Sequence, residues 1–287
     1  MSGTICLSDN IEVLEGLRDD SVDLIYIDPP FNTGREQTGT RLRTVRAGGG
    51  DRVGFKGQSY ATRVVSERSF PDVFDDYLGF LAPRLEHAHR VLAPHGTLYI
   101  HLDYREVHYC KVLLDSIFGR RSFLNEIIWA YDYGARTTRR WPPKHDNILV
   151  YAKDPGRYVF DTAGIGRIPY MAPGLVGPEK AERGKLPTDT WWHTIVPTSG
   201  KERTGYPTQK PLGILRRIVA ASSRKGDLVL DFFAGSGTTG EACLMLGRDF
   251  LLVDDNPEAL EVMARRFRGR DDVEWLGFDP EPWREGP

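Results

Sequence analysis

Two apolar runs in this chain break off into short segments that ordinary strand ends do not carry, some two hundred residues apart. Asp23-Leu24-Ile25-Tyr26-Ile27 leads into Asp28-Pro29-Pro30-Phe31. Asp227-Leu228-Val229-Leu230 leads into Asp231-Phe232-Phe233-Ala234-Gly235-Ser236-Gly237-Thr238-Thr239. Short continuous apolar runs bounded by turn residues predict strands buried on both faces, which is the condition of a parallel sheet covered by helices. Each special segment falls where such a strand runs out into a loop.

The rest of the chain supports that architecture. Thr4 to Ser8 and Val22 to Ile27 read as strands, with Asn10 to Leu17 helical between them. From Asp72 to Leu92 apolar residues recur at three and four, which predicts a helix that Pro83 should kink or divide. Thr97 to Leu102 reads as a strand and Tyr104 to Ile117 as a helix. Glu126 to Tyr131 and Asn147 to Ala152 read as a strand pair at one sheet edge. After residue 205 come a helix marked by Leu212, Leu215 and Val219, the strand before Asp231, a helix from Thr238, a strand from Phe250 to Asp254 and a final helix with Leu260, Ala264 and Phe267. The expectation is an α/β fold with a doubly wound, mostly parallel sheet. Residues 1–153 and 205–287 form one catalytic domain in this reading, and 154–204, rich in Pro, Gly and charge, form an insertion. Gly34 to Gly57 has no period and predicts a long mobile loop.

A chain of 287 residues with 27% charged residues is long enough for one large domain with an insertion. Cys6, Cys110 and Cys243 have no metal or disulfide spacing, the histidines form no metal motif, and no segment suggests a membrane span or signal peptide. The expectation is a cytoplasmic protein without a metal. The net charge of −2 conceals a basic region: residues 34–68 hold eight cationic side chains against three acids. A polyanion can bind there despite the acidic total.

The glycines at 235, 237 and 240 let a backbone turn sharply and approach a ligand, and the helix behind them offers free amides. The run also fits the dinucleotide pattern G-x-G-x-x-G, which is weak alone and keeps an NAD-dependent oxidoreductase open. Asp231 tilts the choice, because an acid there repels a pyrophosphate and suits a cationic amino-acid moiety such as that of S-adenosyl-L-methionine. Asp254 ends the next strand, placed to accept from ribose hydroxyls.

At the other segment two prolines stiffen the strand exit and donate no backbone hydrogen bond, while the carbonyls still accept. Asp28 and the Pro29 carbonyl can therefore accept from one amino group, and Phe31 can stack on the ring that carries it. An aromatic amine is a poor nucleophile; acceptors on both N–H bonds favour a pyramidal nitrogen and stabilise the charge that develops on attack. The joint reading is methyl transfer to an exocyclic amine of a nucleic-acid base, flipped out of its helix.

These motifs resemble those of the beta-class DNA amino-methyltransferases, which methylate adenine N6 or cytosine N4. The Asp-Pro-Pro-aromatic segment precedes the glycine segment, as the circularly permuted order of that family requires, and Thr208-Gln209-Lys210-Pro211 is similar to its Thr-Glx-Lys-Pro element. Leu7-Ser8-Asp9 resembles its Gly-Asp, with Ser8 in place of the glycine. The resemblance implies a base pocket of Asp28, Pro29, Pro30 and Phe31, and a cofactor site of Asp9, Thr208, Lys210, Asp231, Phe233, Gly235, Ser236, Gly237, Thr238 and Asp254. It implies S-adenosyl-L-methionine as cofactor and double-stranded DNA as partner. It favours adenine N6 over cytosine N4, because Asp rather than Ser precedes the prolines, and leaves RNA base methylation as a third reading. A homodimer and a cognate restriction endonuclease are associations it brings with it.

DNA contacts are expected from Arg35, Arg41, Arg43, Arg46 and Arg52 in the basic region and from Arg136, Arg139 and Arg140 in a second basic cluster beside Trp141. The insertion at 154–204, with Trp191-Trp192 as its one dense apolar cluster, is the expected target-recognition segment.

Overall fold

The computed structural model describes residues 2–46, 52–53, 59–131, 137–197 and 200–284. β1 (Gly3–Leu7), α1 (Asn10–Gly16) and β2 (Val22–Ile27) open the chain. A long hairpin follows, with β3 (Arg35–Arg46), the two-residue β4 (Arg52–Val53) and β5 (Ser59–Asp72). Next come α2 (Tyr77–Val91), β6 (Leu92–Leu102), α3 (Val107–Ile117), β7 (Phe123–Ala130) and β8 (His145–Ala152). α4 (Pro178–Arg183) and β9 (Thr190–Trp192) interrupt an otherwise irregular stretch. The chain closes with α5 (Leu212–Ser222), β10 (Leu228–Asp231), α6 (Thr238–Leu246), β11 (Asp249–Asp254), α7 (Pro257–Arg266), β12 (Val273–Leu276) and α8 (Glu281–Arg284).

Nine strands form one sheet in the order β12-β1-β11-β10-β2-β6-β8-β7-β9. The pairings from β12 through β6 are parallel, and β8 runs antiparallel to both β6 and β7. Helices cover both faces. Ile214, Ile218, Ala242, Leu260 and Met263 of α5, α6 and α7 pack on one side; Leu14, Leu81, Leu85 and Leu114 of α1, α2 and α3 pack on the other. The doubly wound sheet expected from the sequence is the observed one. Pro83 sits inside α2, which continues as one helix and is not divided.

Residues 34–57, expected as a mobile loop, are different. β3 pairs antiparallel with β5 from Arg35↔Asp72 to Arg46↔Tyr60. The arginine-rich composition concealed cross-strand pairs such as Thr44↔Thr62, of a residue type that favours strands. Residues 47–51 and 54–57 of that expectation lie outside the described residues.

The stretch expected as an insertion carries little regular structure, yet it is joined to the sheet. β9 pairs parallel with β7 at Trp129↔Trp191, and Trp191 is buried in the main core while Trp192 is exposed. Among the described residues, no helix is long and apolar enough to cross a membrane.

Candidate active site

β2 and β10 are neighbours in the sheet, paired at Leu24↔Val229 and Ile25↔Leu230, so their exits open side by side at one edge. Asp28, Pro29, Pro30 and Phe31 therefore line the same cavity of about 420 Å³ as Asp231, Phe233, Gly235, Ser236, Thr238 and Asp254. Thr208 and Lys210 line it as well. Among the expected cofactor residues, Asp9 and Gly237 do not line it. Asp9 caps α1, accepting from the Ile11 amide at 2.7 Å, and the next residue, Asn10, reaches the wall instead. Gly237 stands at φ +73°, where a side chain would strike Met263 at 2.8 Å, so it serves the packing of α6.

The glycine loop is tied down by acids. Asp231 is almost fully buried; one of its oxygens accepts from the Phe233 amide at 3.1 Å and the other from the Thr239 hydroxyl at 2.5 Å. Asp254 accepts from the Gly235 amide at 2.7 Å and the Asn256 amide at 3.0 Å. Burial outweighs these bonds and pushes Asp231 up to about 7 and Asp254 up to about 6. Two buried acids of this kind favour a nearby cation.

The second exit is held from outside. Asn32 has φ +51°, and Asp72 at the end of β5 holds the turn, accepting from the Asn32 amide at 2.7 Å and from the Thr33 hydroxyl at 2.6 Å. Tyr77 donates to the Pro30 carbonyl at 2.6 Å. The hairpin is thereby coupled to Phe31 through its last residue. Lys210 joins the two exits: its ammonium lies 2.6 Å from Asp28 Oδ2 and 4.8 Å from the Phe31 ring centre, and its carbonyl accepts from Thr238 at 3.2 Å. Asp28 Oδ1 is buried with no hydrogen-bond partner.

The wall also contains residues that the sequence did not single out: Asn10, Tyr26, Asp72, Phe80, Arg84 and Tyr206. Tyr26 had a signal, since it lies two residues before Asp28 and leaves an extended strand on the same face. Asp72 had none, because its partner is forty residues away. Arg139 and Arg140 are exposed and do not line the cavity; Arg140 reaches the Tyr104 hydroxyl at 3.3 Å. Arg35, Arg41, Arg43, Arg46 and Arg52 lie on strands of the hairpin, and Arg136 lies outside the described residues.

A doubly wound sheet whose glycine loop and Asp-Pro-Pro-Phe exit share one cavity defines a group-transfer enzyme that uses a nucleoside cofactor. The comparisons agree. The family profile for N6/N4 methyltransferases, described as DNA methylase, matches residues 22–265. The type II methyltransferase M.HpaI of Haemophilus parainfluenzae is 33% identical over 279 residues, spanning 97% of this chain and 77% of that protein. The DNA adenine methyltransferase YhdJ of Escherichia coli (strain K12) is 28% identical, spanning 92% and 82%. In structure the chain is similar to the M1.HpyAVI–SAM complex, with TM-score 0.59, 21% identity and coverage of 92% and 98%. It is similar also to the cytosine-N4-specific PvuII DNA methyltransferase, with TM-score 0.63, 15% identity and coverage of 99% and 90%.

The chain belongs to the N6/N4 DNA methylase family. It is an S-adenosylmethionine-dependent DNA amino-methyltransferase. The cavity suits the cofactor on its own terms: its volume is that of a small-ligand site, buried acids at Asp231 and Asp254 favour a cationic ligand, and Phe80, Phe233 and Tyr206 offer flat walls.

Proposed function

We propose that this enzyme methylates adenine N6 in double-stranded DNA, with Asp28, Pro29, Pro30 and Phe31 forming the base pocket. The observation that carries this reading is Asp28 Oδ1, buried, unpartnered and on the wall of the cavity. A buried acceptor left open costs free energy, and an N–H of the flipped base would satisfy it. The Pro29 carbonyl accepts the second N–H and Phe31 stacks on the ring. An acid before Pro-Pro, which in the family goes with adenine, and the 28% identity to a protein named as an adenine methyltransferase both support adenine over cytosine.

S-adenosylmethionine, when bound, supplies an electrophilic methyl group on a sulfonium. The chain's residues do the rest. Asp231 and Thr208 would hold the amino-acid end, Asn10, Phe233 and Asp254 would hold the nucleoside, and Gly235, Ser236 and Thr238 would keep the loop close. Lys210 neutralises Asp28 until the site fills. DNA lies along the hairpin arginines and beside Arg139 and Arg140, with Trp141, almost wholly exposed, at the same rim. Residues 154–204 read the target sequence. Homodimerisation and pairing with a restriction endonuclease are part of the same proposal; sedimentation of the purified chain tests the first.

The decisive experiment is incubation with labelled S-adenosylmethionine and random-sequence duplex, followed by digestion and mass spectrometry of the nucleosides. N6-methyldeoxyadenosine is the expected product. N4-methyldeoxycytidine would replace the adenine reading, and label in RNA alone would remove the DNA one.

A further inference from the structure

Behind the base pocket lies a buried polar chain that the reading above does not use. The Tyr26 hydroxyl is 3.1 Å from His101 Nδ1, and His101 Nε2 is 3.1 Å from Asp146 Oδ2. The other Asp146 oxygen accepts from the Tyr131 hydroxyl at 3.0 Å. His101 is wholly buried, Tyr26 and Asp146 nearly so. The three come from β2, β6 and β8, adjacent strands of the sheet.

The chain ends at the reacting centre. Tyr26 and Asp28 both line the cavity and leave one extended segment on the same side. β2 and β6 are in register at Ile27↔Ile100, so the next step of that register brings Asp28 level with His101. The imidazole also lies 5.8 Å from the Phe31 ring, the expected stacking surface. Stability alone is a weak account of the trio, because a buried polar pair is commonly no more stabilising than apolar residues of the same volume.

The reaction has an unmet need at this place. Attack by an amino group leaves a cationic nitrogen that must lose a proton. Asp28 already has an ammonium on Oδ2, and its Oδ1 is needed to orient the base. We propose that Tyr26, His101 and Asp146 form a proton relay that takes up the proton released from the methylated amine, with Tyr26 as a catalytic residue and His101 and Asp146 acting through it. This rests on the reading of Asp28 and Phe31 as the base pocket.

The step balances as follows. The N–CH3 bond forms as the S–CH3 bond of the sulfonium breaks and leaves its electron pair on sulfur; the cationic nitrogen then gives one N–H proton to Tyr26 Oη. The hydroxyl proton of Tyr26 passes to His101 Nδ1. The resulting imidazolium keeps its Nε2–H on the Asp146 carboxylate, and its extra proton returns to solvent after the base departs. This requires neutral His101 in the Nε2–H tautomer, with Nδ1 accepting from Tyr26. The electrostatics agree. Burial, then the charges of Asp28, Asp231 and Asp146, push Tyr26 far up, so it transmits a proton without persisting as phenolate. Burial would raise Asp146, but the hydrogen bond from His101, the Lys210 charge and the Tyr131 hydrogen bond hold it below its ordinary value. The titratable or charged groups facing the imidazole are Tyr26 and Asp28 from β2 and its exit, Asp146 from β8, Tyr131 just after β7, and Lys210 before α5.

The test is single-turnover methyl transfer to DNA by wild type, Tyr26→Phe, Asp146→Asn and His101→Asn across pH 5.5–9, in H2O and D2O. Near-UV circular dichroism and calorimetry with S-adenosylhomocysteine accompany each variant. Tyr26→Phe keeps the ring and removes only the relay hydroxyl. It should slow transfer by about 10²-fold with cofactor affinity within about twofold, the size expected of positioned acid–base help. The acid limb of the wild-type pH profile and its solvent isotope effect should vanish in Tyr26→Phe and, where it folds, in His101→Asn. Transfer by Tyr26→Phe within twofold of wild type overturns the relay. So does slowing that leaves the limb and the isotope effect unchanged, which is what a purely structural role predicts. Failure of the base-pocket reading looks different: Asp28→Ala would then transfer as fast as wild type, whatever Tyr26→Phe does.

Discussion

The exits of β10 and β2 lie side by side and each begins with an aspartate, yet the two carboxylates are employed in opposite ways. Asp231 turns inward: both oxygens hold its own loop, through Phe233 and Thr239. Asp28 makes no such local bond; one oxygen meets a lysine from a remote segment and the other is bare. The difference follows from the residues that come next. Phe233 has an amide that folds back onto Asp231, whereas Pro29 and Pro30 have none to offer Asp28. A loop that bonds its own acid holds that carboxylate rigid, to meet a ligand by charge; a loop that cannot leaves a bare acceptor for a ligand's hydrogen bond.

The largest effect that sharpens this contrast is at Asp28. Asp28→Ala should lower methyl transfer by about 10³-fold or more, as loss of a preorganised polar group at a reacting centre does. Cofactor affinity, measured by calorimetry with S-adenosylhomocysteine, should change by less than about threefold. A parallel collapse of cofactor binding would break the division of labour between the two exits. The next effect comes from the residue that shapes the second exit from outside. Asp72→Ala orphans the amides of Asn32 and Thr33 and frees Phe31 to shift. Transfer should fall on the order of 10²-fold, the cost of a small misplacement in a reacting geometry. The fluorescence of 2-aminopurine at the target base would show whether flipping is what is lost.

How far the sequence revealed this site depends on the range of the contacts. Local chemistry was legible: Asp-Pro-Pro-Phe and the glycine run are each written in adjacent residues, and both reach the cavity. The alternating strands and helices were legible for the same reason, since burial on both faces writes itself into continuous apolar runs. Three things were not. The hairpin of β3 and β5 was concealed because its pairing, Arg35↔Asp72 to Arg46↔Tyr60, joins positions up to 37 apart and its arginines disguise the alternation. Asp9 was placed at the cofactor by motif likeness, whereas its side chain is taken by the α1 cap and Asn10 faces the cavity. Lys210 was assigned to the cofactor, and its ammonium stands on Asp28 across a sequence separation that no local pattern encodes.

At the first exit the expected effects are smaller and divide between stability and binding. Asp231→Ala removes the acceptor for the Thr239 hydroxyl and the Phe233 amide, costing about 1–3 kcal/mol for each orphaned group. Thermal unfolding should show the loss without any DNA present, and cofactor affinity should fall by roughly tenfold as the loop loosens. The matching experiment at Asp28 should act on thermal stability only through the lost ion pair with Lys210, because no backbone group depends on that carboxylate. Equal destabilisation by the two substitutions would show that both exits are scaffolds.

The smallest effect is on pH, and it distinguishes the acids without any substitution. Asp231 is pushed up to about 7 by burial, with the charges of Asp28 and Asp254 adding to it. An unfolded aspartate titrates near 4. Between those values the folded chain retains a proton that the unfolded chain has lost, so this group favours folding at low pH and that contribution disappears as pH rises through about 7. Cofactor binding has the opposite sign, since an ammonium is held by the ionised acid. At pH 6 only about a tenth of Asp231 is ionised, so affinity for S-adenosylhomocysteine should be about tenfold weaker at pH 6 than at pH 8. In Asp231→Asn the slope should flatten, whereas in Asp28→Asn it should persist. A slope that survives Asp231→Asn would move the ammonium to Asp254, pushed up to about 6, and the remaining titration should then centre a unit lower.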